Sequence, residues 1–146
     1  MIKIEFSKDR IKTQQREGIN EVFDIIRKKW FVLTPEEWVR QNFLQYLLIL
    51  KKYPASLIAV EKEIRLGELR KRCDIVVYNR QSQPWMIIEC KEMNVNLSQK
   101  TMEQILRYHV TLSAKYLVIT NGKYCFGFEN KEGQFTEISQ FPEFET

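Results

Sequence analysis

The spacing of apolar positions changes along the chain, and each change marks an element. From Thr34 the stretch TPEEWVRQNFLQYLLILKK places Val39, Phe43, Tyr46, Leu47 and Leu50 on one helical stripe. Thr34 reads as the N-cap, Pro35 takes the first helical position, Glu37 the third, and Tyr53-Pro54 ends the helix. Beyond that proline the pattern turns apolar and β-branched. SLIAVEKEIRL, RCDIVVYN and PWMIIECK read as three strands, the last two joined by a polar NRQSQP hairpin connection.

A second helix is predicted from about Ser98 to Ala114. It is followed by strand KYLVITNG with an Asn-Gly turn, strand YCFGFEN, and a short strand near FTEI after a turn at residues 131–133. Residues 1–33 fit two templates. Ile19, Val22, Phe23, Ile26 and Trp30 recur at helical spacing, while FDII and WFVL suit short strands. The order of helix, three strands, helix and further strands predicts an α/β (α+β) domain with a mixed sheet and helices packed on it. With no repeat or linker in view, one domain over residues 1–146 is expected, its core at about 34–130.

Composition narrows the chemistry. A length of 146 residues with 44% hydrophobic content suffices for one real core, and a net charge of +4 gives a slight preference for a polyanionic partner. Cys73, Cys90 and Cys125 are widely spaced in apolar runs and read as reduced core residues. MIKIEFSKDR lacks the continuous apolar run of a signal peptide, and no stretch approaches the roughly 18 apolar residues of a membrane span, so a cytoplasmic protein is expected. His109 is the only histidine, which argues against histidine-rich metal sites and against Ser-His-Asp or Cys-His hydrolases. Chemistry is left to carboxylates and lysine.

Those residue types occur where strands seldom place charge. Asp74 interrupts the apolar CDIVVY, and Glu89 and Lys91 interrupt MIIECK. Alternation along a strand puts Glu89 and Lys91 on one face, and hairpin pairing would bring Asp74 beside them. Two carboxylates and a lysine at one point suit a hard cation such as Mg²⁺ or Mn²⁺, an activated water and phosphodiester hydrolysis.

RCDIVVY followed by IIECK resembles the PD-(D/E)XK nuclease motif, with Asp74, Glu89 and Lys91 at its Asp, Glu and Lys and Cys73 where the motif has proline. Gln104 and Tyr108, one helical turn apart, resemble the Q-x-x-x-Y helix of RecB-like nucleases. Over roughly residues 21–129, TPEEWVRQ, KRCDIVVY, IIECK, EQILRYH and LVITNG are similar to the N-terminal nuclease domain of type I restriction enzyme R (motor) subunits, which also occurs as a short stand-alone protein. That resemblance implies a restriction-endonuclease-like fold, Mg²⁺-dependent DNA cleavage and partners in a restriction or DNA-processing system. It also implies an early-helix glutamate completing the metal site, for which Glu37 matches best and Glu36 next. These residues hold no Walker A loop, so translocation of DNA by this chain alone is not expected.

Each assignment has a plainer rival. Asp74, Glu89 and Lys91 could form a structural ion pair; Thr34-x-x-Glu37 is equally a capping box. Gln104 and Tyr108 could be polar positions of an amphipathic helix. Arg70, Lys71, Arg72, Lys100 and Arg107 would grip phosphates in the functional reading and form a solvated surface in the plain one. His109 reads as a core or boundary residue.

Overall fold

The structure, a computed structural model, describes residues 1–6 and 11–144. The ambiguous N-terminal stretch is a three-stranded antiparallel meander of β1 (Thr13–Arg16), β2 (Ile19–Asp24) and β3 (Lys29–Val32). Turn chemistry selects strands over helix. Glu17 and Gly18 have φ of 53° and 78°, the pair of positive values that a tight two-residue hairpin loop requires. At the far end of β2 the Asp24 carboxylate accepts the Ile26 and Arg27 amide N–H groups at 2.8 and 2.7 Å and turns the chain into β3.

Helix α1 (Pro35–Gln45) starts as its sequence signature requires, with Thr34 Oγ1 accepting the Glu37 N–H at 3.0 Å. The remainder of the predicted helix, Tyr46–Leu50, widens into a π-helical turn. Six strands follow: β4 (Ile58–Leu66), β5 (Leu69–Tyr78), β6 (Pro84–Cys90), β7 (Tyr116–Thr120), β8 (Cys125–Lys131) and β9 (Gln134–Ile138). They lie side by side in chain order. Only β6 and β7 run parallel, because α2 (Gln99–His109) crosses over between them, and every other neighbouring pair is antiparallel. Ser98 caps α2 by accepting the Thr101 N–H at 3.2 Å. A 3₁₀ turn, Val110–Leu112, then ends at Ser113 in the left-handed region with φ 55°.

The mixed sheet flanked by helices is the architecture that the sequence predicted. Its two faces are covered by different helices. Val39, Phe43 and Leu44 of α1, with Leu47 of the π-helical turn, pack with Ile58, Val60, Ile75, Val77, Met86 and Ile88 on one face, a cluster that also takes in Ile2 and Phe141. On the other face Leu106 of α2 and Leu112 pack with Cys73, Val76 and Ile87. All three cysteines are buried and free, and no described helix is long and apolar enough to cross a membrane.

Candidate active site

The side chains of β4 and β5 change faces in mid-strand. Strict alternation would group Cys73 with Ile75 and Val77, yet Cys73 packs with Val76 on the α2 face while Ile75 and Val77 pack on the α1 face. In β4 the same slip separates Ile58 and Val60, on the α1 face, from Ile64, on the α2 face. The rung missing between Val60↔Ile75 and Lys62↔Cys73 is Glu61 opposite Asp74, and Glu61 sits at φ 53°. A non-glycine residue in the left-handed region is a local strain that its surroundings must stabilise. The outcome is that Glu61 and Asp74 both turn toward α1.

The β5–β6 ladder also ends here. Its last rung toward the site is Ile75↔Ile88, and one further step would set Asp74 opposite Glu89. Instead Asp74 Oδ2 accepts the Cys90 backbone N–H at 2.8 Å, so a side chain substitutes for the next rung where the two strands part. Asp74 Oδ1 accepts from Arg40 Nη2 at 2.8 Å.

Arg40 is buried in α1 and gathers acids from three elements. Its Nη2 reaches Glu61 Oε1 at 2.6 Å as well as Asp74, and its Nη1 reaches Glu37 Oε1 at 2.7 Å. From there the network runs outward. Arg27 Nη2 lies 3.2 Å from Glu37 and Arg27 Nε 2.8 Å from Asp24, while Arg72 Nε holds the second oxygen of Glu61 at 2.7 Å. Gln41 Nε2 bridges Asp24 and Glu37 at 2.8 and 3.1 Å.

Glu89 belongs to the other face. Met86, Ile88 and Cys90 point to α1 and Ile87 to α2, so alternation directs Glu89 to α2. Its Oε1 lies 3.4 Å from Lys91 Nζ and its Oε2 3.4 Å from Nε2 of buried His109. On the far side of the ring, His109 Nδ1 lies 4.0 Å from Cys73 Sγ. The Lys91 backbone N–H, donated to Thr120 O at 2.8 Å, anchors the end of β6 to β7.

Burial, followed by the charge of Glu89, pushes Asp74 up to about 7, against the opposing pull of Arg40 and the Cys90 N–H. Glu89 moves the other way: burial alone would raise it, but His109 and Lys91 hold it below the ordinary carboxylate value. Burial and Glu89 thus work against ionisation of Asp74, while His109 and Lys91 favour that of Glu89 on the adjacent strand.

The other candidates divide between the two faces. Glu37 donates its N–H to the Thr34 cap, but its carboxylate goes to Arg27, Arg40 and Gln41, so the return bond of a capping box is replaced. Glu37 meets Asp74 only through Arg40, and Glu36, half exposed, lies 3.6 Å from the same guanidinium. Gln104 is exposed and makes no side-chain hydrogen bond among the described residues. Tyr108 is exposed too, its ring edge-on to His109 at 4.7 Å between centroids and covered by Lys71 Nζ at 3.9 Å. Arg70 and Arg72 lean on Glu63 and Glu61 at 3.8 and 2.7 Å, and Lys100 and Arg107 are exposed on α2.

Sequence reasoning missed Arg40, Glu61 and the partner of His109. Arg40 had a signal, since it sits three residues after Glu37 and three before Phe43, on the buried stripe of α1. His109 is buried, as the plainer reading had it, but against Glu89 rather than among apolar groups alone.

The carboxylates Asp74 and Glu89 are of the donor type that hard divalent cations take. Among the described residues no three His, Cys, Asp or Glu side chains form a ready cage. Mg²⁺ characteristically takes one or two carboxylates and fills its shell with water and substrate phosphate, and Asp74 and Glu89 are carboxylates on the adjacent strands β5 and β6.

No curated protein matches the chain. The family described as type I restriction enzyme R protein N terminus matches residues 35–142, from the first turn of α1 to the segment after β9, and so includes Arg40, Glu61, Asp74, Glu89, Lys91 and His109. Its restriction-endonuclease-like role agrees with the mixed sheet and with charges set at the mouth of β5 and β6. The chain belongs to the family of type I restriction enzyme R protein N-terminal domains, with a PD-(D/E)XK nuclease-like fold.

Proposed function

We propose that this domain is a Mg²⁺- or Mn²⁺-dependent deoxyribonuclease, a cytoplasmic component of a restriction or DNA-processing system. The observation that carries the reading is that Asp74 and Glu89 stand on adjacent strands where the β5–β6 ladder opens, with Lys91 3.4 Å from Glu89. Asp74 and Glu89 would hold the cation. Bound there, it would lower the pKa of a water and offset charge developing on the phosphate. Lys91 Nζ lies at the side of Glu89 left open by His109, where it would orient the attacking water and donate to the phosphate oxygens. Arg40 fixes Asp74 from behind, so that carboxylate need not reorganise when substrate arrives. Glu37 supports the site through Arg40. Gln104 and Tyr108 on the open side of α2, with Arg70, Lys71, Arg72, Lys100 and Arg107, would meet the DNA backbone, and salt-dependent binding follows.

Plasmid cleavage with Mg²⁺ or Mn²⁺ tests the reading. Wild type should cut, whereas Lys91→Ala and Asp74→Ala should lose at least about a hundredfold, the lower range for removing a positioned catalytic group. Equal cleavage by all three sinks it.

One observation favours a second reading, a nucleic-acid- or partner-binding module that keeps the fold without turnover: both Asp74 oxygens already accept hydrogen bonds, from Arg40 and Cys90. Metal titration separates the two. A nuclease site binds Mn²⁺ and loses it in Asp74→Asn, while a binding module shows salt-dependent DNA affinity without a cation.

A further inference from the structure

We propose that His109 is a positioning residue that orients Glu89 through a Cys73–His109–Glu89 relay, fixing which Glu89 oxygen faces the cation. The inference deepens the nuclease reading and rests on it for the identity of the bound ion.

The three side chains meet on the sheet's α2 face. His109 is at the C-terminal end of α2, almost fully buried, with Nε2 3.4 Å from Glu89 Oε2 and Nδ1 4.0 Å from Cys73 Sγ. Glu89 accepts only, so Nε2 must carry a hydrogen. Cys73 Sγ, buried on the same face, stands against Nδ1 on the other side of the ring. The ring is thereby held between the two side chains with Nε2 turned to Glu89. Tyr108 closes the ring edge at 4.7 Å between centroids.

The consequence falls on Glu89. With Oε2 held by His109, rotation about the terminal torsion is restricted, and Oε1 is left toward Lys91 at 3.4 Å. A ligating carboxylate oriented by an outer hydrogen bond binds metal more tightly than one that must give up rotamer freedom, and removing such a partner typically weakens metal affinity about 10- to 100-fold. The β5 kink is part of the device. Without the slip at Asp74, alternation would turn Cys73 to the α1 face, away from the ring.

The full chain offers a direct probe, because its single histidine gives one unambiguous imidazole in long-range ¹H–¹⁵N spectra. In metal-free protein the expected pattern has a hydrogen on Nε2, toward Glu89. Added Mg²⁺ should shift those signals in wild type but not in Glu89→Gln. His109→Phe, which keeps ring volume, should bind Mn²⁺ at least about tenfold more weakly. His109→Gln, which keeps a donor, should recover part of that loss, and thermal unfolding of both variants checks folding. An Nδ1–H tautomer, or unchanged Mn²⁺ affinity in a folded His109→Phe, overturns the proposal. The nuclease reading fails separately: wild type that binds Mg²⁺ with the expected tautomer yet cuts nothing leaves the relay standing, while cleavage and metal binding at wild-type levels in His109→Phe leave only the nuclease.

Discussion

The two carboxylates at the mouth of β5 and β6 are held by opposite strategies. Asp74 is locked into a dense buried network in which one guanidinium, Arg40, serves Asp74, Glu61 and Glu37 within 2.8 Å. Glu89, partly open to solvent, has two polar side-chain contacts among the described residues, both at 3.4 Å, to Lys91 and His109. The first is built like a foundation for the fold; the second can change partners at little cost. An active carboxylate pair needs both kinds of support, one ligand that stays in place and one that responds to cation and substrate.

Removing the hub of the dense side should have the largest effect. Arg40→Leu leaves three carboxylates facing one another in a dry site, and breaking a buried ion network by deleting one partner costs about 3–5 kcal/mol. Arg40→Lys keeps the charge but cannot fork to three acceptors and should recover only part of it. Glu89→Gln, on the open side, should change stability by less than about 1 kcal/mol while abolishing Mn²⁺ binding. Urea unfolding beside metal titration measures both. Similar stability losses in Arg40→Leu and Glu89→Gln would erase the contrast.

Proton linkage sharpens the comparison at the level of the site. Asp74 lies well above the ordinary carboxylate value, pushed to about 7 by burial and by Glu89, so the folded state holds its proton more tightly than the unfolded chain does. The stability this gives is complete below the unfolded value of about 3.8 and lost as pH rises through about 7. Glu89, held below its ordinary value, does the reverse: its contribution is present above the unfolded value and lost as pH falls. A cation takes the deprotonated carboxylates, so Mg²⁺ affinity should fall by up to about tenfold per pH unit below 7, with a proton released on binding. Calorimetry in buffers of different ionisation enthalpy reads that proton. Asp74→Asn should release none, and equal proton release in the variant would place the titrating group elsewhere.

The sequence exposed the two halves of this site unequally. Asp74, Glu89 and Lys91 were legible because charge inside CDIVVY and MIIECK breaks a local pattern, and the strands, α1, α2 and their caps follow from periodicity and turn residues. Arg40 with Glu61 was not, since its partners lie 21 and 34 residues away and are joined by a slip in alternation at a glutamate, where no glycine advertises the positive φ. The His109–Glu89 contact spans 20 residues and depends on where α2 lands after its crossover. The meander at residues 13–32 was ambiguous because its apolar positions fit both periods, and only the Glu17-Gly18 turn decides between them. Local pattern reports which residues are unusual; long-range packing decides whom they meet.

The smallest predicted effect separates two jobs that the sequence assigned to one residue. Glu37 receives the helix cap through its backbone and serves the ion network through its carboxylate, so the two can be cut independently. Thr34→Ala removes only the hydroxyl that accepts the Glu37 N–H and should cost about 1 kcal/mol, with Mn²⁺ affinity unchanged. Glu37→Gln keeps the cap but withdraws a charge from Arg27 and Arg40, freeing Arg40 to pull harder on Asp74 and Glu61. Its signature should therefore appear as weaker cation binding at constant cap strength, read by metal titration beside thermal unfolding. A loss of Mn²⁺ affinity in Thr34→Ala equal to that in Glu37→Gln would mean that the position of α1, rather than the Glu37 charge, governs Asp74.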